Sequence, residues 1–220
     1  MLGPEGAGLK ILTRNNQDDL DPAWSPDRGT IAYSRGDGFT ASLRLLAPDG
    51  THDRLLTPRG PWRDTGPAWS PDGRQVAFVR TDRYLYVGRL VVIDVATTRE
   101  RTVVPGPRVL PDQLSWSPDG TTIAFGSRHE GPGGADLHLV KVDGTGLRRL
   151  STGREWATSP AWTPDGSRIA FTGTPLDPPR NNRWSLFTIR PDGGGEPERL
   201  LEFVKLVTRS ARTGVVPAGL

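Results

Sequence analysis

The chain has no cysteine, so neither a disulfide nor a thiolate metal site is available to it, and the redox compartment stays open. Long apolar runs are also missing. Residues 1–20 hold no stretch that would serve as a signal peptide, and no segment is long enough to span a bilayer. Basic and acidic residues number 28 and 25, a net charge of +3, with no run of five or six like charges. The footprint of a nucleic-acid binder is therefore absent. Lysine occurs only at Lys10, Lys141 and Lys205, which reads as a compositional bias toward arginine. There is no helical periodicity of useful length, no Gly-x-Ser-x-Gly elbow and no phosphate-binding Gly-rich loop. His52, His129 and His138 are scattered without metal-ligand spacing. No catalytic residue stands out, no cofactor is implied, and insertion into a membrane is not expected.

What is present is a repeat. Trp24-Ser25-Pro26-Asp27, Trp69-Ser70-Pro71-Asp72, Trp116-Ser117-Pro118-Asp119 and Trp162-Thr163-Pro164-Asp165 recur at spacings of 45, 47 and 46 residues. A fixed period of this length marks one supersecondary unit stacked several times. The 27 glycines and 21 prolines are spread along the chain, as expected for many tight turns between short strands.

The unit reads as four strands. Gly66-Pro67-Ala68-Trp69 leads into Ser70-Pro71-Asp72-Gly73, where Pro presets φ, Asp bonds nearby backbone N–H groups and Gly accepts positive φ. Gln75–Val79, Leu90–Asp94 and Arg101–Val104 supply the second, third and fourth strands, and the same order recurs around the other copies. Four antiparallel strands per unit of about 46 residues predict an all-β chain built as β-propeller blades.

Pro-Ala-Trp-Ser-Pro-Asp-Gly, a spacer and then Ile-Ala-Phe resemble the WD40-like (PD40) repeat of TolB-type β-propellers, over residues 1–203. The resemblance implies four four-stranded blades at 14–57, 58–104, 105–151 and 152–203, with 204–220 as a tail. Leu2–Thr13 aligns without gaps on Leu46–Thr57, so residues 1–13 are expected to be the end of a partial blade. The last unit has its own fourth strand, Arg199-Leu200-Leu201, so an open arc of a larger ring is expected rather than a closed four-bladed ring. Neither end shows a polar cap, and self-association through the open faces follows.

Strand parity puts the Ser-Pro-Asp-Gly and Asp-Gly turns on one uniform face. The other, variable face carries the second-to-third-strand loops (35–42, 81–89, 128–136, 174–183) and the inter-blade loops. Variable loops on a rigid scaffold are where binding is expected. The candidate partner-binding residues there are Trp62, Arg63, Asp64, Arg83, Tyr84, Asp112, His129 and Trp156. Trp62 and Trp156 stand in inter-blade loops and have two open accounts, as aromatic anchors or as indoles tucked between blades. Trp24, Trp69, Trp116 and Trp162 are expected to pack blade on blade. Asp27, Asp72, Asp119 and Asp165 suggest a metal ring, but their turn positions explain them without one. Arg35-Gly36-Asp37 is an adhesion-type tripeptide of the kind that arises by chance.

Three functions remain open. The first is a non-enzymatic scaffold for a protein or peptide partner; resemblance to TolB implies a periplasmic envelope component, although no export signal is seen. The second is a detached propeller of a prolyl-oligopeptidase-like serine peptidase. The third is a truncated gene product with no function of its own.

Overall fold

The structure, a computed structural model, describes residues 10–82, 88–128, 134–150, 155–175 and 184–202. Every regular element among these is a strand. Unit 1 comprises β1 (Asp18–Trp24), β2 (Ile31–Gly36), β3 (Ala41–Leu46) and β4 (Arg54–Leu55). Unit 2 has β5 (Trp62–Trp69), β6 (Gln75–Asp82), β7 (Gly88–Asp94) and the start of β8 (Glu100–Trp116). Unit 3 takes the rest of β8 with β9 (Thr122–Arg128), β10 (Ala135–Lys141) and β11 (Arg148–Arg149). Unit 4 is β12 (Glu155–Trp162), β13 (Ile169–Pro175), β14 (Ser185–Ile189) and β15 (Glu198–Glu202).

The units are not four separate sheets. β8 pairs β7 through Glu100–Val104 and β9 through Leu114–Trp116, and so runs unbroken across the expected boundary at 104/105. A parallel bridge between Ala41 and Arg63 ties unit 1 to unit 2, so the first three units form one continuous 11-stranded sheet. Unit 4 is a sheet of its own.

The Trp-Ser-Pro-Asp turn is held by the same bonds in each copy. Ser70 Oγ donates to Asp72 Oδ1 (2.6 Å) and accepts from the Gln75 N–H (2.9 Å), while Asp72 Oδ1 accepts from the Arg74 N–H (3.0 Å). Ser25, Ser117 and Thr163 repeat this with Asp27, Asp119 and Asp165. These donors hold all four carboxyls below their ordinary value, the neighbouring hydroxyl being the main cause, and Asp165 falls to about 2. Gly73, Gly120 and Gly166 sit at φ 71° in this turn. In unit 1 Arg28 occupies the same station at φ 60°, a conformation that costs an L residue about 1–2 kcal/mol.

Each sheet has a front, toward the preceding unit, and a rear, toward the next. Ala32, Leu43 and Leu45 on the rear of unit 1 cluster with Val76, Phe78, Val91 and Ile93 on the front of unit 2. Ala77, Val79 and Val92 do the same with Ile123, Phe125 and Trp116, and Ala124, Leu137 and Leu139 with Ile169, Phe171 and Phe187. Phe78, Phe125 and Phe171 are fully buried, each worth roughly 2–3 kcal/mol. The repeat tryptophans seal these joints. The indole N–H of Trp69 donates to the Ala23 carbonyl, and that of Trp116 to the Ala68 carbonyl, both at 3.0 Å. At the third joint Trp162 Nε1 is buried without a partner, and the Trp162 backbone N–H instead donates to Ser115 Oγ at 3.2 Å. Ser115 replaces the alanine found at 23 and 68.

The outward sides differ from the joints. Arg44 on the front of unit 1 stands where Val91, His138 and Phe187 stand, each opposite the aromatic residue of the second strand. Thr188 on the rear of unit 4 stands where Leu45, Val92 and Leu139 stand. Among the described residues, substantial packing runs from each unit to the next, and none joins unit 1 to unit 4.

Three outcomes follow from this architecture. Trp116→Phe, which strips the Ala68 carbonyl of its donor, should lower stability by about 1–2 kcal/mol more than Trp162→Phe in urea titrations. Arg28→Gly should raise the melting temperature, gaining about 1 kcal/mol, and Gly120→Ala should lower it. The turn carboxyls have folded pKa values below the unfolded value of about 3.9, so their contribution is complete above about pH 4. It is lost as pH falls through the folded values, and the urea midpoint should drop steeply between about pH 4 and pH 2.

Candidate functional site

The strand ends define the variable face more tightly than expected. β2 reaches Gly36 and β3 starts at Ala41, so the first of its loops is the four-residue turn 37–40, not 35–42. Asp37 Oδ1 caps it by accepting from the Phe39 and Thr40 N–H groups (3.0 and 2.8 Å). Arg35 of the adhesion-type tripeptide is held in ion pairs and is not offered to solvent.

Trp62 and Trp156 begin strands β5 and β12 rather than lying in loops. They also point to opposite sides of their sheets. Trp62 pairs with Asp82 and faces unit 1; Trp156 pairs with Thr174, on the rear of unit 4. A β-bulge in each inner strand, with Gly66 (φ 59°) or Ser159 (φ 54°) in the left-handed region, hides this parity from simple counting.

Around Trp62 the sequence builds a buried ion cluster. Asp64 is fully buried and takes both arms of Arg80, Nε to Oδ1 at 2.6 Å and Nη2 to Oδ2 at 2.8 Å. Arg80 also donates to Glu100 at 2.7 and 2.9 Å, and its guanidinium lies 4.6 Å from the centre of the Trp62 ring. Burial pushes the Asp64 carboxyl above its ordinary value while Arg80 pulls against it. Burial likewise works against the Arg80 charge, and its bonds to Asp64 and Glu100 more than offset that. The Trp62 ring closes on Gly60, where any Cβ would lie 2.3 Å from it. Trp62 and Asp64 are thus fixed parts of the joint between units 1 and 2. Arg63, on the other side of the strand, is half-buried, with its Nε unpartnered.

Unit 1 carries the same motif one repeat earlier. Arg35 bonds Asp19 at 2.5 and 3.0 Å and Asp53 at 2.9 Å, while Asp53 also accepts from Arg44 (2.7 Å) and the Tyr33 hydroxyl (2.8 Å). Units 3 and 4 have Ser127 and Gly173 at the arginine position, so the clusters belong to units 1 and 2. Arg35, Arg44, Arg80 and Glu100 were not among the expected site residues. The recurrence of Asp19/Asp64 and Arg35/Arg80 at the 45-residue period was the signal for them.

Two cavities border this region. One of about 210 Å³ opens on the variable face, lined by Gln17, Arg35, Asp37, Arg44, Arg59 and Gly60. Arg35 and Arg44 are committed to carboxylates. Arg59 is exposed and pairs with no carboxylate among the described residues. The other, about 580 Å³, lies on the uniform face between the first two turns, over Trp69, Leu45 and Val95.

In unit 4 Trp156 is 40% exposed, and Trp184, just before β14, is 42% exposed. Arg83, Tyr84 and His129 lie outside the described residues; Asp112 lies in β8, but its side chain is not among those described. Among the described residues no three His, Cys, Asp or Glu side chains converge as metal ligands, and no helix is long and apolar enough to cross a membrane.

Known proteins share this architecture. A putative TolB from Agrobacterium tumefaciens is 26% identical, with a TM-score of 0.65 over 83% of this chain and 64% of its own. TolB from Acinetobacter baumannii is 18% identical, with a TM-score of 0.70 over 90% of this chain and 47% of its own. The uncharacterized peptidase YuxL of Bacillus subtilis (strain 168) is 40% identical over 57 residues, 26% of this chain and 8% of YuxL. This chain therefore spans less than two thirds of each. The family model PD40, the TolB beta propeller domain, matches residues 40–180, and the chain belongs to that β-propeller family.

Proposed function

We propose that the chain is a non-enzymatic binding scaffold whose variable face, over units 1 and 2, takes an extended protein or peptide segment. The observation that carries this reading is the cavity of about 210 Å³, where Arg59, without a carboxylate partner among the described residues, stands beside two arginines locked by Asp19 and Asp53. A locked rim beside a guanidinium that pairs with no carboxylate among the described residues suits an acidic side chain of the partner. An extracytoplasmic site of action goes with the TolB-like reading.

A second reading, the propeller of a serine peptidase whose catalytic domain is another part of the protein or another polypeptide, is supported by the match to YuxL. It differs in that the propeller gates substrate without holding it.

Peptides selected from a random phage library against the purified chain provide the test. They should be rich in Asp or Glu, and Arg59→Glu should weaken them about tenfold or more. Asp165→Asn, on the uniform face, should leave their affinity unchanged. Peptides indifferent to Arg59→Glu would overturn the reading. Trp62→Ala should instead cost about 2 kcal/mol of stability, because it removes the ring on which Arg80 rests.

A further inference from the structure

The cavity of about 580 Å³ on the uniform face, at the joint between units 1 and 2, separates its charges by sign. Its floor is apolar, made by Leu45 on the rear of unit 1 and by Trp69 and Val95 on the front of unit 2. At the inner end stand Asp27 and Asp72, in the turns that follow the inner strands β1 and β5. At the outer end stand His52 and Arg54, the latter in β4, the outermost strand of unit 1. The result is an apolar trough with carboxylates at one end and a guanidinium at the other. Between Asp27 and Arg54 lie two to three strand spacings, roughly 10–14 Å.

Each end has polar groups that the fold does not use. Asp27 Oδ1 accepts from Ser25 Oγ and the Gly29 N–H (2.5 and 2.9 Å), and Asp72 Oδ1 from Ser70 Oγ and the Arg74 N–H (2.6 and 3.0 Å). Among the described residues this leaves Asp27 Oδ2 unbonded and Asp72 Oδ2 with only Arg74 Nε, at 4.0 Å. The turn donors also hold both carboxyls below their ordinary value, so both are ionised at neutral pH. Arg54 pairs with no carboxylate among the described residues, its neighbour Asp53 being taken by Arg35 and Arg44. His52 sits at φ 58°, at the station that the turn bonds give to Gly146 (φ 65°) in unit 3 and Gly195 (φ 91°) in unit 4. A side chain kept where the other turns use glycine is held under strain, and such residues gather at binding sites. Thr51 Oγ1 donates to Asp49 Oδ1 (2.6 Å) and so accepts from His52 Nδ1 (2.7 Å). That fixes the proton on Nδ1 and leaves Nε2 as an acceptor.

We propose that this trough binds a short peptide by its two free ends, the α-ammonium at Asp27 and Asp72 and the α-carboxylate at Arg54. His52 Nε2 accepts the N–H of the last peptide unit, and the side chains between lie on Leu45, Trp69 and Val95. Three or four extended residues span about 10–14 Å, which matches the separation of the two ends. A cavity of this size falls in the range of about 300–1,000 Å³ that ligand pockets occupy. The peptide's direction is fixed as well, because the reverse direction would set like charges together at both ends. The trough shares no lining residue with the variable-face cavity, so it stands or falls apart from the scaffold reading.

Titration calorimetry of the purified chain with the peptide Ala-Leu-Leu-Ala, free or blocked at one end, decides the matter. The free peptide should bind with a Kd of about 100 µM or tighter, and N-acetylation or C-amidation should each weaken it about tenfold. Arg54→Gln should weaken the free peptide about tenfold but the amidated one less than twofold, since only the carboxylate meets Arg54. Asp27→Asn, which keeps the Oδ1 acceptor of the turn, should act in the same way toward the free and acetylated peptides. His52→Gly should weaken binding while raising the melting temperature, because glycine adopts φ 58° without strain. Arg59→Glu should leave the affinity unchanged. No binding of the free peptide, equal affinity for the blocked forms, or indifference to Arg54→Gln would each refute the assignment.

Discussion

A twisted β-sheet with apolar residues on both sides cannot stand in water alone, and the rest of this structure depends on how that surface is covered. Internal strands such as β6 are buried on both sides over almost their whole length. The covering element is the next copy of the same sheet. The indole does more than fill the space between two copies. Its N–H also donates to an alanine carbonyl of the preceding unit at the first two joints, so packing and hydrogen bonding select the same geometry. The turn beyond each tryptophan extends this logic, because the Ser hydroxyl, the Asp carboxylate and the positive-φ glycine bring the turns of successive units into contact.

Much of this was legible in the sequence because it is periodic. The Trp-Ser-Pro-Asp copies state the unit length, and their turn chemistry is local enough to be read directly. The order of the strands followed, and Trp69, Trp116 and Trp162 pack between units, whereas Trp24 is 54% exposed. What could not be read were features with no local signature. Trp62 and Trp156 look alike in sequence, but the bulge ahead of each Pro-Ala-Trp breaks the two-residue alternation, and they fall on opposite sides. Asp64 and Arg80 lie 16 residues apart, and only the register of β5 on β6 makes them partners. The polar outward sides became visible only once Arg44 and Thr188 could be set against the residues that replace them in other units.

The ion clusters set units 1 and 2 apart from units 3 and 4. Asp19 and Asp64 fix the inner strands to the second strands at the variable-face end, where Ser127 and Gly173 later provide no such clamp. A clamped rim presents its remaining side chains in one arrangement.

β8 has a mechanical consequence of its own. Because one strand of 17 residues serves as the outer edge of unit 2 and the inner edge of unit 3, neither sheet can peel away without tearing the other. The two middle modules therefore form a single cooperative block. The outer modules, tied on by one parallel bridge at one end and by side-chain packing at the other, are the parts that open first.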